Sequence, residues 1–299
     1  MRKIIDDAFI AMLETRDLNV HSSLNGLFGG NRRTVKHGSS AEFADYQDYV
    51  PGDDLRRIDW NLYARFEKLF IKLFVDERQL HHRIYVDCSA SMDWGDPHKG
   101  ETALKLAAAL GFLAVQSMDR VSIIEMHGDR CEDVTQGAIV GKERFYAAVD
   151  RLNNTEFYGS SELGAALSGE ENVGNGDGMS VIISDFLTES DWKSGAEYLR
   201  FQKREVCLMQ VLSPEELQPM ILGKVWLMDS EASGTEDSRN KRMEITRDTL
   251  KAYGLAMEYH QNELKRFCET RGIPFVTVCT DEPIERMLFM KSTESGIIL

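Results

Sequence analysis

From residue 83 onward, two hydrophobic patterns alternate along the chain. Short, nearly continuous runs of Val, Ile, Leu and Met are typical of strands that are buried on both faces. They cover residues 83–87, 121–126, 179–185, 205–211 and 275–278. Between them, apolar residues recur every three or four positions, which predicts helices. These helices are expected over residues 102–118, 143–152, 162–167, 190–201, 249–271 and 283–290.

Strands that alternate with helices predict an α/β fold, in which helices flank a central, mainly parallel sheet. In such Rossmann-like sheets, ligands bind beyond the carboxyl ends of the strands, near the point where the strand order reverses. Two of the predicted strands end in a carboxylate, at Asp87 and Asp185. Both side chains are therefore expected at the edge of the sheet where a ligand binds.

The first 80 residues do not follow this alternation and are predicted to form a separate, β-containing block. A short amphipathic helix is expected over residues 4–16, and a Gly-, Ser- and Asn-rich stretch over residues 20–45 is expected to be irregular. Residues 81–299 are predicted to form the α/β domain. Within that domain, residues 223–247 interrupt the alternation and are predicted to form a hairpin around a polar loop.

Composition and charge exclude several classes of function. The 299 residues carry a net charge of -14 at pH 7, which argues against nucleic acid or an anionic membrane as the main partner. The chain has no run of about 18 apolar residues, so no membrane insertion is expected. The N-terminus has no signal-peptide pattern, and the five cysteines show no paired spacing. A cytoplasmic protein in a reducing compartment is therefore expected.

The strand that ends at Asp87 is followed by hydroxyl groups at Ser89 and Ser91. One carboxylate and two serine oxygens at a strand end suit a hard divalent cation such as Mg2+, which takes oxygen ligands. Two further sources of oxygen are Asp185, at the end of its own strand, and Ser161, in a Gly-containing loop before a helix. Few direct carboxylates would leave the ion electron-poor, and an open position would favour a carboxylate from a protein partner.

Two other interpretations stay open. Polar strand ends can cap helices, which would make the domain a metal-free structural scaffold. The other alternative is a hydrolase. Asp87 begins a spacing that resembles the phosphatase motif D-x-D-x-T, but Ser89 stands where the general acid is needed. The segment 159–163 lacks the final glycine of the nucleophile elbow G-x-S-x-G, so no catalytic residue is assigned and a non-enzymatic role is expected.

These polar residues resemble the metal-ion-dependent adhesion site of von Willebrand factor type A domains. The matching positions are Asp87, Ser89 and Ser91, followed by Ser161 and Asp185. That family has D-x-S-x-S after its first strand, a threonine in a Gly-rich loop and an aspartate after its fourth strand. The resemblance implies that the serines and the loop hydroxyl bind the ion directly, and that the aspartates often act through water. The implied ion is Mg2+, or another divalent cation such as Mn2+ or Ca2+.

The loop ligand is the position at which this chain departs from the type A pattern. Ser161 stands in place of the threonine, which keeps the oxygen and loses the methyl group. Ser160 and Thr155 are alternatives for the same role.

A second resemblance lies in the N-terminal block. The residues that carry it are Glu42-Phe43, Tyr49-x-Pro51-Gly52-Asp53-Asp54-x-Arg56-x-Ile58-Asp59-Trp60, Ala64-Arg65 and Phe74-x-x-Glu77. Together they are similar to the bacterial family known as domain of unknown function 58, whose members carry a type A domain after this block. Residues 223–229 and 271–273 are similar to the later part of that family. The resemblance implies a MoxR-type AAA+ ATPase as partner, in chaperone-like assembly or activation of client proteins.

Two further groups of polar residues are expected to have structural roles. A hydrogen-bonded ion pair is expected within the segment Arg56, Arg57, Asp59 and Trp60, because burial without a partner is costly. His81 and His82 are expected at the surface. They are poor joint metal ligands, because neighbouring residues on a strand point to opposite faces.

Overall fold

A computed structural model of the chain describes residues 3, 5–15, 33–35, 42–51, 53–77, 79–169, 178–227, 230–231, 241–284 and 286–287. The chain divides into two units, which comprise residues 31–80 and residues 1–30 together with 81–299. The described helices are α1 (Asp7–Thr15), α2 (Trp60–Phe66), α3 (Lys99–Gln116), α4 (Lys142–Leu152), α5 (Leu163–Ser168), α6 (Trp192–Phe201), α7 (Pro214–Leu217) and α8 (Arg247–Arg271). The described strands are β1 (Arg33–Val35), β2 (Glu42–Asp48), β3 (Phe70–Glu77), β4 (His81–Asp87), β5 (Arg120–His127), β6 (Arg130–Asp133), β7 (Met179–Ser184), β8 (Glu205–Leu212), β9 (Gly223–Leu227), β10 (Lys241–Ile245) and β11 (Phe275–Cys279).

The smaller unit contains an antiparallel sheet in which β3 lies between β1 and β2. β1 and the start of β2 fall within residues 20–45, so the expectation of an irregular stretch is wrong there. The other residues of that stretch lie outside the part of the chain that the structure describes. Pairing to β3 gives these short, polar segments the backbone partners that their sequence pattern does not reveal.

Asp59 caps the start of α2 in the smaller unit. Its side chain accepts hydrogen bonds from the N–H groups of Asn61 and Leu62, and the Tyr46 hydroxyl donates to it over 3.1 Å. Asp59 is buried, whereas Arg56 is exposed and Trp60 is 62% exposed. Asp59 therefore serves as a helix cap, while Arg56 and Trp60 lie at the surface. The Arg57 side chain lies outside the described residues.

The larger unit is built on a six-stranded sheet of order β11-β8-β7-β4-β5-β6. Neighbouring strands are parallel except for β6, which runs antiparallel to β5 at one edge. The chain moves outward from β4 to β6, returns to β7 on the other side of β4, and moves outward again. The strand order thus reverses between β4 and β7, and ligands bind at such a point in doubly wound folds.

Helices cover both faces of this sheet. One hydrophobic cluster joins α1, α3 and α4 to one face, and a second joins α5, α6 and α8 to the other. The central strands β4 and β7 are buried along almost their whole length, which fits the apolar runs of residues 84–86 and 181–183. The predicted α/β fold with a mainly parallel sheet is confirmed.

Helix α1 belongs to the larger unit rather than to the unit of residues 31–80. Leu13 is 5% exposed within the hydrophobic cluster on the α3 face of the sheet. The Ile5 backbone N–H donates to Asn153 Oδ1 over 2.8 Å. The apolar face of α1 is therefore buried against the α/β domain, although the predicted boundary groups residues 1–80 as one block.

Two edge features complete the larger unit. β9 and β10 pair antiparallel over five residues each, within the segment 223–247 that is predicted to form a hairpin. The four-residue strand β6 was not predicted, because its polar and alternately exposed sequence carries little hydrophobic signal. The predicted helix over residues 283–290 lies partly outside the described residues, at 285 and 288–290.

His82 is a buried residue, so its predicted surface position is wrong. It is 0% exposed, and its Nε2 lies 3.1 Å from Asp119 Oδ2. His81 is half-buried, with Nε2 2.9 Å from Ser122 Oγ. The cause is the central place of β4 in the sheet, which leaves neither face of the strand open to water.

Candidate metal centre

Asp87, the last residue of β4, is a buried carboxylate held by hydroxyl groups. It is 1% exposed. Its Oδ2 accepts hydrogen bonds from Ser161 Oγ over 2.9 Å and from Ser184 Oγ over 2.6 Å. Its Oδ1 accepts from the Ser89 backbone N–H over 3.0 Å. Burial, followed by the charge of Asp185, raises the pKa of Asp87 above its usual range, because both disfavour the ionised carboxylate.

Ser89 and Ser91 lie in the short turn that follows β4. Their hydroxyl oxygens are 3.1 Å apart, and Ser89 is fully buried. Ser89 occupies the capping position of the 3-10 turn Ala90–Met92, yet its side chain makes no capping hydrogen bond. Helix capping therefore does not account for this hydroxyl, which faces the other oxygens of the site.

The loop before α5 brings Ser161 to Asp87. The loop is tied to the turn after β4 by two backbone hydrogen bonds, from Tyr158 N–H to Cys88 O and from Ala90 N–H to Gly159 O. Ser161 is 4% exposed. Among the three candidates for the loop hydroxyl, the structure places Ser161 on the carboxylate.

Thr155, one of the two alternatives, contacts a different group. Its Oγ1 donates to Glu125 Oε1 over 2.5 Å. Glu125 in turn lies 3.3 Å from His127 Nε2, and the ligand atoms of Cys88, Glu125 and His127 all lie within 4.8 Å of one another. This group offers sulfur, oxygen and nitrogen, and so differs from the oxygen set at Asp87 that hard cations prefer.

Asp185 follows β7 and lies beside Asp87 at the reversal point of the strand order. It is 1% exposed, and its Oδ1 accepts from the Leu187 backbone N–H over 2.9 Å. Its main-chain oxygen accepts from the Gln210 side-chain amide over 3.0 Å. The sequence-based site residues Asp87, Ser89, Ser91, Ser161 and Asp185 are thus brought to one edge of the sheet.

Lys99, at the start of α3, is a member of the site that the sequence did not reveal. Its ammonium donates to Asp185 Oδ2 over 2.7 Å and to Glu216 Oε1 over 2.6 Å, and its side chain is 1% exposed. Burial alone would lower the pKa of Lys99, but the carboxylates of Asp185 and Glu216 outweigh it and raise the pKa. Lys99 is therefore a buried cation within an acidic group of side chains.

Close packing at Gly100 fixes the start of α3. A Cβ atom at this position would lie 2.3 Å from Phe157 Cζ, so only glycine lets the helix begin against that ring. His98 caps the same helix, since its Nδ1 accepts from the Glu101 N–H over 3.2 Å. These contacts position Lys99 beside the end of β7. A lysine at a helix start gave no sequence signal, because most lysines are surface residues.

Glu231 is the second residue that the sequence did not reveal. It lies between β9 and β10, and its Oε2 accepts from the Ser161 backbone N–H over 3.2 Å. The Ser91 hydroxyl also donates to this carboxylate. Burial raises the pKa of Glu231, and the charges of Asp87 and Asp185 raise it further, against the lowering effect of its two hydrogen bonds. A third carboxylate therefore converges on the serine oxygens.

This donor set fits a divalent cation. Three carboxylates, of Asp87, Asp185 and Glu231, and hydroxyl groups of serines converge, and all are oxygen donors. The ammonium of Lys99 balances one of the charges on Asp185 and Glu216. Within the described part of the chain, hydroxyl groups and one N–H donate hydrogen bonds to the buried Asp87. An oxygen-only set with excess negative charge is the kind that Mg2+, Mn2+ and Ca2+ bind.

The strand order and the position of D-x-S-x-S after the central strand define a von Willebrand factor type A-like α/β domain. Domains of this kind often depend on a metal and mediate protein interactions. The family model described as "Protein of unknown function DUF58" matches residues 45–259 of the chain. The chain belongs to that family, as the resemblance predicted.

Relatives of the chain are found in mycobacteria. An uncharacterized protein of Mycobacterium tuberculosis is 26% identical over 287 residues, which cover 94% of this chain and 88% of the relative. An uncharacterized protein of Mycobacterium avium is 28% identical over 123 residues, which cover 40% of this chain and 69% of the relative.

Solved structures with a similar arrangement include the type A domain of SpRpn10, at 10% identity and a TM-score of 0.40, covering 74% of this chain and 97% of that domain. Proximal thread matrix protein 1 of the mussel byssus, with a zinc-occupied metal-ion-dependent adhesion site, matches at 13% identity and a TM-score of 0.35. That match covers 44% of this chain and 38% of the mussel protein. The strand order given above, and not these partial overlaps, defines the fold.

The described helices of the chain differ from membrane-spanning helices. Within the described ranges, none combines the length and the apolar content that a bilayer crossing needs.

Proposed function

We propose that this protein is a non-enzymatic docking module that holds Mg2+ between Asp87, Ser89, Ser91, Ser161 and Asp185 and uses it to bind an acidic side chain of a protein partner. The observation that carries this proposal is the buried carboxylate of Asp87, which faces hydroxyl groups and a second buried carboxylate. A bound divalent cation would compensate the negative charge of these carboxylates, and the serine oxygens would coordinate it.

The surface around the site supports a protein partner. Three loops that carry the site also carry exposed apolar side chains. Trp94 is 47% exposed, Tyr158 is 55% exposed and Leu187 is 38% exposed. Exposed apolar and aromatic residues that surround a polar centre are typical of protein docking sites. The proposed metal would then supply the polar contact at the middle of an apolar rim.

A groove of about 820 Å3 continues this surface from Trp94 towards the β9–β10 hairpin. Its walls include Glu216, which binds Lys99, and the apolar side chains of Leu217, Met243 and Tyr253. A partner that places a carboxylate at the metal could therefore bury neighbouring apolar residues in the groove. Apolar burial would contribute affinity, and the metal would select for the acid.

The family resemblance suggests the identity of the partner. We place the protein in the cytosol with a MoxR-type AAA+ ATPase, or a client of that ATPase, as the acidic partner. Five free cysteines, three of them buried, fit a reducing compartment.

Hydrolysis has less support than docking. In the described part of the chain, the hydroxyls of Ser161 and Ser89 contact Asp87 and Ser91, and neither hydroxyl is hydrogen-bonded to a histidine that could activate it.

One observation favours a second candidate, a metal-free scaffold of the same fold. The ammonium of Lys99 already lies in the acidic group and could act as its permanent cation. The balance of charges favours the metal site, because one ammonium contacts Asp185 and Glu216, while two further carboxylates, of Asp87 and Glu231, lie near Asp185. This excess favours a second cation.

Partner capture tests the proposal. The purified protein is immobilised in a buffer that contains Mg2+ and is offered the purified MoxR-type ATPase of the same organism. Wild-type protein should retain the ATPase. Ser89→Ala should lose capture while keeping its melting temperature, and Asp93→Asn, which changes an exposed acid in the same loop, should behave as wild type. Equal capture by all three proteins would show that docking uses another surface.

A further inference from the structure

Glu231 is the described residue of the β9–β10 connection that reaches the metal centre. On the two sides of this connection, β9 (Gly223–Leu227) and β10 (Lys241–Ile245) pair in a regular antiparallel ladder. From that base, the Glu231 carboxylate contacts two parts of the site at once, the N–H of Ser161 and the hydroxyl of Ser91. These parts belong to different loops, one before α5 and one after β4.

The charges make this contact unusual. Glu231 approaches Asp87 and Asp185, which already share one edge of the sheet. A third carboxylate brought to two others is unfavourable by itself, since like charges repel strongly where water is partly excluded. A divalent cation held by the serine oxygens would convert this repulsion into attraction, because the carboxylate would face the ion.

A metal held at the serine hydroxyls needs an oxygen at its open side. In the proposed function, the acidic residue of a partner supplies that oxygen. Glu231 offers the same chemical group from within the chain, and it lies against Ser91 and Ser161, two of the proposed ligands.

We propose that Glu231 is an internal ligand of the metal centre, which occupies the position of the partner's carboxylate until the partner displaces it. This inference rests on the proposed function and adds a regulatory contact to it. Metal binding would hold the Glu231 carboxylate at the ion, and partner binding would displace it from the ion. The hydrogen-exchange protection of β9 and β10 would therefore depend on which carboxylate binds the metal.

The substitution Glu231→Gln separates this role from a purely structural one. The glutamine amide oxygen can still accept from the Ser161 N–H, but the negative charge that would bind the metal is lost. Glu244→Gln is the matched control, because Glu244 is an exposed glutamate on β10 of the same hairpin. Thermal unfolding without metal should be the same for wild type and for both variants.

Two measurements on the full chain test the proposal, with Mg2+ alone as the probe. Titration calorimetry should show Mg2+ affinity at least about tenfold weaker for Glu231→Gln than for wild type, and unchanged for Glu244→Gln. Hydrogen exchange should show that Mg2+ protects the amides of β9 and β10 in wild type and in Glu244→Gln, but not in Glu231→Gln.

The possible failures can be distinguished. If wild type shows neither heat nor added protection with Mg2+, the metal centre itself is wrong, and the role of Glu231 falls with it. If wild type binds Mg2+ and Glu231→Gln binds it equally well with the same hairpin protection, the metal centre stands and the internal ligand is excluded.

Discussion

Lys99 Nζ and Asp185 Oδ2 lie 2.7 Å apart, and both side chains are 1% exposed. This buried ion pair joins the start of α3 to the end of β7, and Glu216 extends it at 2.6 Å from the same ammonium. The ammonium of Lys99 compensates the negative charge of Asp185, whereas the carboxylate of Asp87 accepts hydrogen bonds from hydroxyl groups. The site therefore has one built-in cation and oxygen ligands for a second.

Replacing Lys99 should destabilise the protein, because carboxylates of the site lose their cation. In Lys99→Met, Asp185 and Glu216 lose their ammonium partner inside the fold, which should lower the free energy of unfolding by about 3–5 kcal/mol. Added Mg2+ should recover part of that loss, because a divalent cation can balance the freed carboxylates. Urea unfolding with and without Mg2+ measures both effects.

Lys193→Met is the matched control for this experiment. Lys193 pairs with Glu263, but both side chains are substantially exposed, at 37% and 48%. Its loss should cost at most about 1 kcal/mol and should not respond to Mg2+. A Lys99→Met variant that is as stable as this control would contradict the role given to the buried ammonium.

Asp87→Asn should separate metal binding from folding. The amide oxygen can still accept from Ser161 and Ser184, but the amide nitrogen cannot accept from the Ser89 N–H, so the free energy of unfolding without metal should fall by about 1–3 kcal/mol. Mg2+ at a hundred times its dissociation constant should stabilise wild type by about 2.7 kcal/mol and the variant by almost nothing. Thermal or urea unfolding checks this difference, and equal Mg2+ stabilisation of both proteins would argue against Asp87 as part of the centre.

The choice of loop hydroxyl can be tested with three substitutions. Ser161→Ala should weaken Mg2+ binding by about tenfold or more, because it removes an oxygen that the structure places on Asp87. Ser161→Thr restores the oxygen and should bind as well as wild type. Thr155→Ala should leave the affinity unchanged, since Thr155 binds Glu125. Calorimetry that ranks Thr155→Ala as the weakest of the three would reassign the ligand.

His81 should make the fold sensitive to acid. Burial, together with Arg83, Arg204 and Arg120, lowers the pKa of His81 to about 3 from its usual 6.5. The folded state thus favours the neutral ring, and the resulting stability is complete above pH of about 6.5 and is lost as the pH falls from there towards 3.

His81→Gln removes this titration and can keep a hydrogen bond to Ser122. Between pH 7 and pH 5, the free energy of unfolding should fall less in His81→Gln than in wild type. Urea unfolding at the two pH values measures the difference. If the free energy of unfolding falls equally in the two proteins, folding does not lower the pKa of His81.

Much of the fold could be predicted because the central strands are buried on both faces. β4 and β7 each carry an unbroken apolar run that stops at a polar residue, and this pattern places Asp87 and Asp185 at the same edge of the sheet. The edge strand β6 and the strands β1 and β2 of the small sheet escaped prediction. Their partners are distant or few, so pairing rather than sequence pattern determines them.

Two site residues could not be predicted from the sequence, because tertiary packing determines their positions. Lys99 and Glu231 are charged residues in polar surroundings of the sequence, where solvent exposure is the usual outcome. Tertiary packing reverses that outcome, since Gly100 brings α3 against Phe157 and the β9–β10 pair brings Glu231 to Ser161. The buried His82 belongs to this class as well, because only the central place of β4 in the sheet shows that both of its faces are covered.

The most direct test of the account is to locate the ion. Crystals of the full chain grown with Mn2+, which replaces Mg2+ and scatters anomalously, should show one anomalous peak about 2.0–2.6 Å from the hydroxyl oxygens of Ser89 and Ser91, at the side that Asp87 and Glu231 face. An anomalous map without a peak at this edge of the sheet, from crystals saturated with Mn2+, would contradict the metal centre and leave Lys99 as its permanent cation.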